Sequence, residues 1–187
     1  MAERRPRIGI CTALERARWT VWDQEAHLLD RSYVDAVQAA GGLALMLPPD
    51  PRLVQDPDEV LDLLDGLGVA PSRVALAHVD RNPDPGLHTE LAARGAFLGY
   101  DGPARARSAP DSVVLDCLAR VAHAGHADAV LLGGDVARAG RFTSYGGMPG
   151  MAYLGDRFVP RLRRQVGEDV THQVLVSNPA RWLAWTR

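Results

Sequence analysis

The chain has 187 residues, 47% of them hydrophobic and 24% charged, with a formal net charge of −2. That length supports a domain with a proper core, and the near-neutral balance supplies no electrostatic attraction to nucleic acid or an anionic membrane. No apolar run approaches the length that spans a bilayer and no signal-peptide pattern follows Met1, so a cytoplasmic protein is expected. Lysine is absent; all 21 basic residues are arginines, which excludes a Schiff base, a P-loop lysine and a carbamylated-lysine metal bridge. Cys11 and Cys117 lie far apart in apolar segments, which argues against a disulfide framework and suits small hydrophobes rather than activated thiolates.

In chain order, Arg7-Ile8-Gly9-Ile10-Cys11 reads as a short strand, and Arg18 to Glu25, with Trp19 and Trp22, as a loop-like stretch. Leu28 to Ala40 has helical spacing, with Leu29, Tyr33, Val37 and Ala40 on one face, and Gly41-Gly42 stops it. Leu43 to Leu47 predicts a second strand, and this strand–helix–strand unit suits a parallel crossover. After a loop rich in proline and aspartate, Asp56 is placed to cap a helix with Pro57 at its first position and Glu59 reaching back, running to about Asp65.

From Val74 the pattern becomes β-α-β-α-β-α. Strands are expected over Val74–Val79, over Phe97–Asp101 and up to Asp135, with a helix over Pro85–Arg94 between the first two. Ser108-Ala109-Pro110-Asp111 is a capping-box-like start for a helix with Val113, Val114, Cys117, Leu118 and Val121 on its apolar positions and Gly125 at its end. Gly140 to Gly150 is a glycine-rich, flexible loop. Met151 to Val166 is amphipathic and then basic, Asp169 to Val176 reads as a short helix, and Asn178-Pro179 is placed to cap a last helix over Ala180–Trp185.

Each of the three later strands delivers polar side chains at its C-terminal end: His78 and Asp80, then Asp101, then Asp135 after Leu132-Gly133-Gly134. Parallel α/β folds keep their chemistry at that end of the sheet. A neutral imidazole and a carboxylate, here His78 and Asp135, are the raw material of a divalent-metal site. Asp80 and Arg81 suit mutual pairing or a turn cap, and Asp101 ends its strand in the same way. His123 and His126 flank the Gly125 helix stop, and the arginines of Arg157 to Arg164 suit a solvated helix face.

Several of these runs together resemble the C-terminal part of the phosphotriesterase family of amidohydrolases. They are Gly68-Val69-Ala70-Pro71-Ser72-Arg73-Val74, His78-Val79-Asp80-Arg81-Asn82-Pro83-Asp84, Leu91 to Phe97, Gly133-Gly134-Asp135 and Asn178-Pro179-Ala180-Arg181. The resemblance implies an α/β chain whose residues 68–187 form the last three βα units of a (β/α)8 TIM barrel. It makes His78 a metal ligand on the sixth strand and Asp135 both metal ligand and catalytic proton acceptor on the eighth. Asp80, Arg81 and Asp101 then fall to substrate binding. The implied cofactor is a divalent metal, zinc first, and the implied reaction is hydrolysis of a small ester, lactone or phosphoester by a metal-activated water.

Residues 1–67 are similar to the start of class I glutamine amidotransferase-like γ-glutamyl hydrolases, through Arg7 to Ile10, Ser32 to Val37, Ala40-Gly41-Gly42, Leu47-Pro48-Pro49 and Leu64 to Leu67. That implies a short flavodoxin-like βαβ fragment joined to the barrel fragment. The phosphotriesterase family also uses a His-x-His on its first strand, a bridging lysine or glutamate on its fourth and a histidine on its fifth. No His-x-His and no lysine occur here. The Gly-x-Cys-x-Gly elbow of the amidotransferases is absent too. The expectation is therefore a hydrolase site that is incomplete and inactive in a lone chain unless a second copy completes it. A γ-glutamyl hydrolase and a non-catalytic fusion remnant are the other readings.

Overall fold

A computed structural model describes residues 5–52, 56, 58–106 and 109–184. The chain falls into two compact units, Met1–Glu59 and Val60–Arg187.

In the first unit, strand β1 (Arg7–Cys11) is followed by β2 (Ala13–Trp19), β3 (Trp22–Leu28), helix α1 (Arg31–Ala39) and β4 (Leu43–Leu47). β1 and β4 pair in parallel, Arg7 opposite Leu43 through Cys11 opposite Leu47, as a crossover through α1 requires. Asp30 starts α1 by accepting the Ser32 amide at 2.8 Å, two residues inside the expected helix boundary at Leu28.

The stretch from Arg18 to Glu25 is not a loop. It is the tip of an antiparallel hairpin that pairs Ala13 with Leu28 and Trp19 with Trp22 across a two-residue turn at Thr20-Val21. Both strands are largely exposed, so no alternation of apolar residues marks them. The ladder is supplemented by charge: the Arg16 and Arg18 Nε atoms each donate to Asp23 at 2.7 Å. Exposed pairs of this kind contribute no more than about 1 kcal/mol each. Cys11 is likewise exposed on β1 rather than packed in a core.

In the second unit, helix α2 (Asp58–Gly66) precedes β5 (Ala75–Ala77), α3 (Pro85–Ala93), β6 (Phe97–Tyr100), α4 (Asp111–Val121), β7 (Val130–Leu132), α5 (Val159–His172) and α6 (Asn178–Leu183). Pro57, expected in the first turn of α2, and Ser108, expected in a capping box, lie outside the described residues. The three strands form one parallel sheet in the order β5-β6-β7. Central β6 buries Phe97, Leu98 and Tyr100, and Leu61, Leu91, Val114, Leu118, Val121, Val130, Phe158, Leu162 and Val174 pack in one core with Leu98 and Tyr100. No helix among the described residues is long and apolar enough to cross a membrane.

The strands are shorter than expected, for a reason that matters to the site. β5 ends at Ala77 because His78 adopts a left-handed conformation (φ 61°), turning the chain into a 3₁₀ turn at Val79–Arg81. Asp101 falls one residue past β6, and Asp135 three residues past β7, also at positive φ (42°).

Asp84 caps α3, accepting the Gly86 and Leu87 amides at 2.9 and 3.2 Å. Asp111 is not part of a cap. Its carboxylate accepts from the Ala104 amide, the Tyr153 hydroxyl and Arg161 at 2.8, 2.7 and 3.0 Å, tying the loop after β6 to the C-terminal helices. Gly125, at φ 95°, ends the α4 segment as expected.

Two short 3₁₀ turns, Ala139–Arg141 and Thr143–Tyr145, structure part of the glycine-rich loop. Asn178 does not cap α6. It is buried and donates from Nδ2 to Ala127 O and Val130 O at 2.8 and 2.7 Å, fastening the last helix to the start of β7. Trp185, the expected end of that helix, lies outside the described residues.

Candidate metal centre

The C-terminal ends of β5, β6 and β7 bring His78, Asp101 and Asp135 together, with one ligand atom from each lying within 4.8 Å of the others. His78 Nδ1 is in direct hydrogen-bond contact with Asp101 Oδ1. A carboxylate only accepts, so Nδ1 carries a proton and donates it to Asp101, which leaves Nε2 as the ring atom that could face a metal. Left-handed backbone at a residue with a Cβ costs roughly 1–2 kcal/mol and persists only where its surroundings enforce it. Such conformations at both His78 and Asp135 mark this end of the sheet as a place where side-chain direction takes precedence over backbone comfort.

Asp80 lies beneath this cluster. It is 2% exposed and accepts the Gly102 amide at 2.5 Å through Oδ2, while Oδ1 has no partner among the described residues. Burial pushes its carboxyl above the usual range; the Gly102 amide pulls it back and the Asp101 charge adds to the rise. A Cβ on Gly102 would sit 2.5 Å from Asp80 Oδ2, so glycine is what allows this close approach. Asp80 makes no ion pair with Arg81 among the described residues, and Arg81 is exposed at the end of the 3₁₀ turn.

Arg105 and Arg141, on the loops after β6 and β7, join the site without having been expected there. Arg105 Nη2 binds Asp135 Oδ2 directly and donates to the Asp135 carbonyl at 3.0 Å. The Nε atoms of Arg105 and Arg141 are buried without partners among the described residues. Desolvation, then repulsion from Arg141 and Arg81, lowers the pKa of Arg105. The available signal was position alone: Arg105 stands four residues after a strand-end aspartate, in the loop class that carries the chemistry of parallel folds.

A neutral imidazole nitrogen with two carboxylates fits a first-row divalent ion such as zinc or manganese. The donor set and its convergence therefore suit a metal. Neither cysteine is set up as a nucleophile. Burial pushes the Cys117 thiol up, and Cys11 is free and exposed on β1.

Comparison with known proteins places this geometry. Residues 45–183 match the model of the phosphotriesterase family, a match that begins upstream of Gly68. A phospho-furanose lactonase of Mycoplasmopsis synoviae is 31% identical over 134 residues, covering 68% of this chain and 38% of that protein. The crystal structure of a lactonase from Listeria monocytogenes superposes with a TM-score of 0.66 at 30% identity, over 69% of this chain and 41% of that one. The chain thus spans about two fifths of the length of these relatives. A Mycobacterium tuberculosis protein named as a candidate glutamine amidotransferase is 41% identical over 63 residues, 34% of this chain and 20% of that protein. Because the family match runs through all three strands and the side chains that converge beyond them, the chain belongs to the phosphotriesterase family.

Proposed function

We propose that the chain is a metal-dependent hydrolase of the phosphotriesterase type, acting on small lactones or esters. The convergence of His78, Asp101 and Asp135 beyond the strand ends carries this reading. Those three residues would hold the ion, zinc being the first choice. Members of the family depend on divalent metals. An ion held there would supply polarisation of the carbonyl or phosphoryl oxygen under attack and a lowered pKa for the attacking water. Asp135 accepts the proton of that water. Arg105 restrains the Asp135 carboxylate through Oδ2, leaving its other oxygen to do so. Asp101 fixes the tautomer of His78, and Asp80 supports the loop of Asp101 from below through Gly102.

Arg81 and Arg141 lie near enough to Arg105 for their positive charges to act on it. Guanidinium groups bind carboxylate and phosphate by paired donors, so an anionic lactone or ester is the substrate this site favours. The name of one relative, a phospho-furanose lactonase, agrees with that preference.

In this proposal residues 68–187 are the last three βα units of a (β/α)8 barrel, and residues 1–67 are a flavodoxin-like, glutamine amidotransferase-like fragment. The similarity to the M. tuberculosis protein supports the second assignment. The protein works in the cytoplasm on a small molecule, with neither nucleic acid nor membrane as partner. Assay of the zinc- or manganese-loaded protein with lactones, with and without a phosphate group, tests the reading. Turnover that favours the phosphorylated lactone and disappears in Asp135→Asn is expected. Turnover unchanged by that substitution overturns it, and no turnover with any lactone or ester leaves a non-catalytic remnant.

A further inference from the structure

His88 takes no part in the chemistry above, yet it is a titratable side chain buried next to the site, at 1% exposure within α3. Its Nε2 lies 3.0 Å from the carbonyl oxygen of Val79 and its Nδ1 lies 2.7 Å from the hydroxyl of Tyr100. The two contacts determine the state of the ring. A carbonyl only accepts, so Nε2 carries the proton and donates it to Val79 O. Burial lowers the imidazole pKa, which keeps the ring neutral, so Nδ1 accepts from the Tyr100 hydroxyl. Tyr100 is itself fully buried on β6.

The position of these two partners gives the arrangement its meaning. Val79 stands between His78 and Asp80, and Tyr100 immediately precedes Asp101. His88 therefore spans the two chain segments whose ends present the metal-binding side chains. Two further links join the same segments: His78 to Asp101, and Asp80 to the amide of Gly102. The turn at 78–80 and the strand end at 100–102 are thus joined three times, and only the His88 link comes from a separate element. The same link acts on Val79 O, the carbonyl that also accepts the Asn82 amide at 3.1 Å and so closes the 3₁₀ turn directly after left-handed His78.

We propose that His88 is a positioning residue for the metal site, holding His78 and Asp101 in register by donating to Val79 O and accepting from Tyr100. This rests on the reading of His78, Asp101 and Asp135 as metal ligands. Outer-shell partners of metal ligands commonly change metal affinity by about 10–100-fold when removed.

The test compares zinc affinity, measured by competition with a chromophoric chelator, in wild type, His88→Leu, Tyr100→Phe and Val121→Ala. Val121 is a buried core residue of α4, and its truncation destabilises without touching the three links. Zinc affinity is expected to fall about 10-fold or more in His88→Leu and by a smaller factor in Tyr100→Phe, and to stay within about twofold in Val121→Ala. Ring ¹⁵N spectra of the metal-free protein supply a second readout. His88 is expected as the Nε2–H tautomer, and the His78 ring signals are expected to shift or broaden in His88→Leu. If wild type takes no zinc while the His78 signals still respond to His88→Leu, the positioning role stands and the metal reading fails. If wild type binds zinc and His88→Leu binds it equally, or if Val121→Ala weakens binding as much, the positioning role is overturned.

Discussion

At the scale of single residues, the site rests on contacts that tolerate no added atoms. Gly102 donates its amide to Asp80 from so close that a methyl group would meet the carboxylate oxygen at 2.5 Å. Gly102→Ala is therefore expected to push Asp80 off its amide and lower stability by roughly 1–3 kcal/mol in urea unfolding, the usual cost of overpacking. An unchanged midpoint would show that the pocket around Asp80 yields freely. His88 supplies a pH signature. Its pKa is depressed by burial below the ordinary 6.5, so the unfolded chain takes up a proton that the folded one refuses. The stability tied to this histidine is thus fully present above pH 6.5 and is lost as the pH falls from there through the folded-state pKa. The slope of unfolding free energy against pH below 6.5 is expected to be shallower in His88→Gln than in wild type; equal slopes would contradict the neutral, buried ring.

At the scale of elements, Asn178 fastens α6 to the approach and start of β7 by two hydrogen bonds from one amide nitrogen. Asn178→Ala leaves two buried carbonyls without that donor and is expected to cost about 1–3 kcal/mol in chemical denaturation. A loss within about 0.5 kcal/mol, the range of an ordinary surface substitution, would contradict the fastening role.

The same element scale shows what was legible in the sequence. The parallel strands announced themselves as apolar runs, most fully at β6, since a strand covered on both faces has little reason to be polar. Their polar ends were legible for the same reason, since His78, Asp101 and Asp135 stand out where each run stops. The β2–β3 hairpin was not legible: it is exposed, and its pairing uses backbone bonds and Asp23 rather than an apolar stripe. Asn178 read as a helix cap because Asn before Pro commonly is one, and only the tertiary fold shows its amide turned to Ala127 and Val130. Arg105, Arg141 and His88 were hidden because their roles depend on loops and a helix folding back over the sheet. Local spacing does not encode that. The left-handed turn at His78 was equally invisible: histidine visits positive φ more readily than most residues, but Ala77-His78-Val79 carries no turn residue that fixes it there.

At the scale of the whole molecule, the parallel sheet has β6 at its centre and β5 and β7 at its edges, each with hydrogen-bonding groups on one side that no described strand pairs. Open edges of this kind favour pairing with another chain. Sedimentation velocity over rising protein concentration is expected to show self-association. Ala75→Lys, a charge placed on an exposed position of edge strand β5, is expected to shift the population toward monomer. A single monomeric species at every concentration would contradict assembly through these edges.

The most direct measurement is the zinc content of the chain after expression with the metal and desalting, in wild type beside Asp135→Asn. If His78, Asp101 and Asp135 form a metal centre, wild type retains zinc in fixed proportion to the chain and Asp135→Asn loses most of it. Zinc retained equally by both proteins, or by neither, would contradict it.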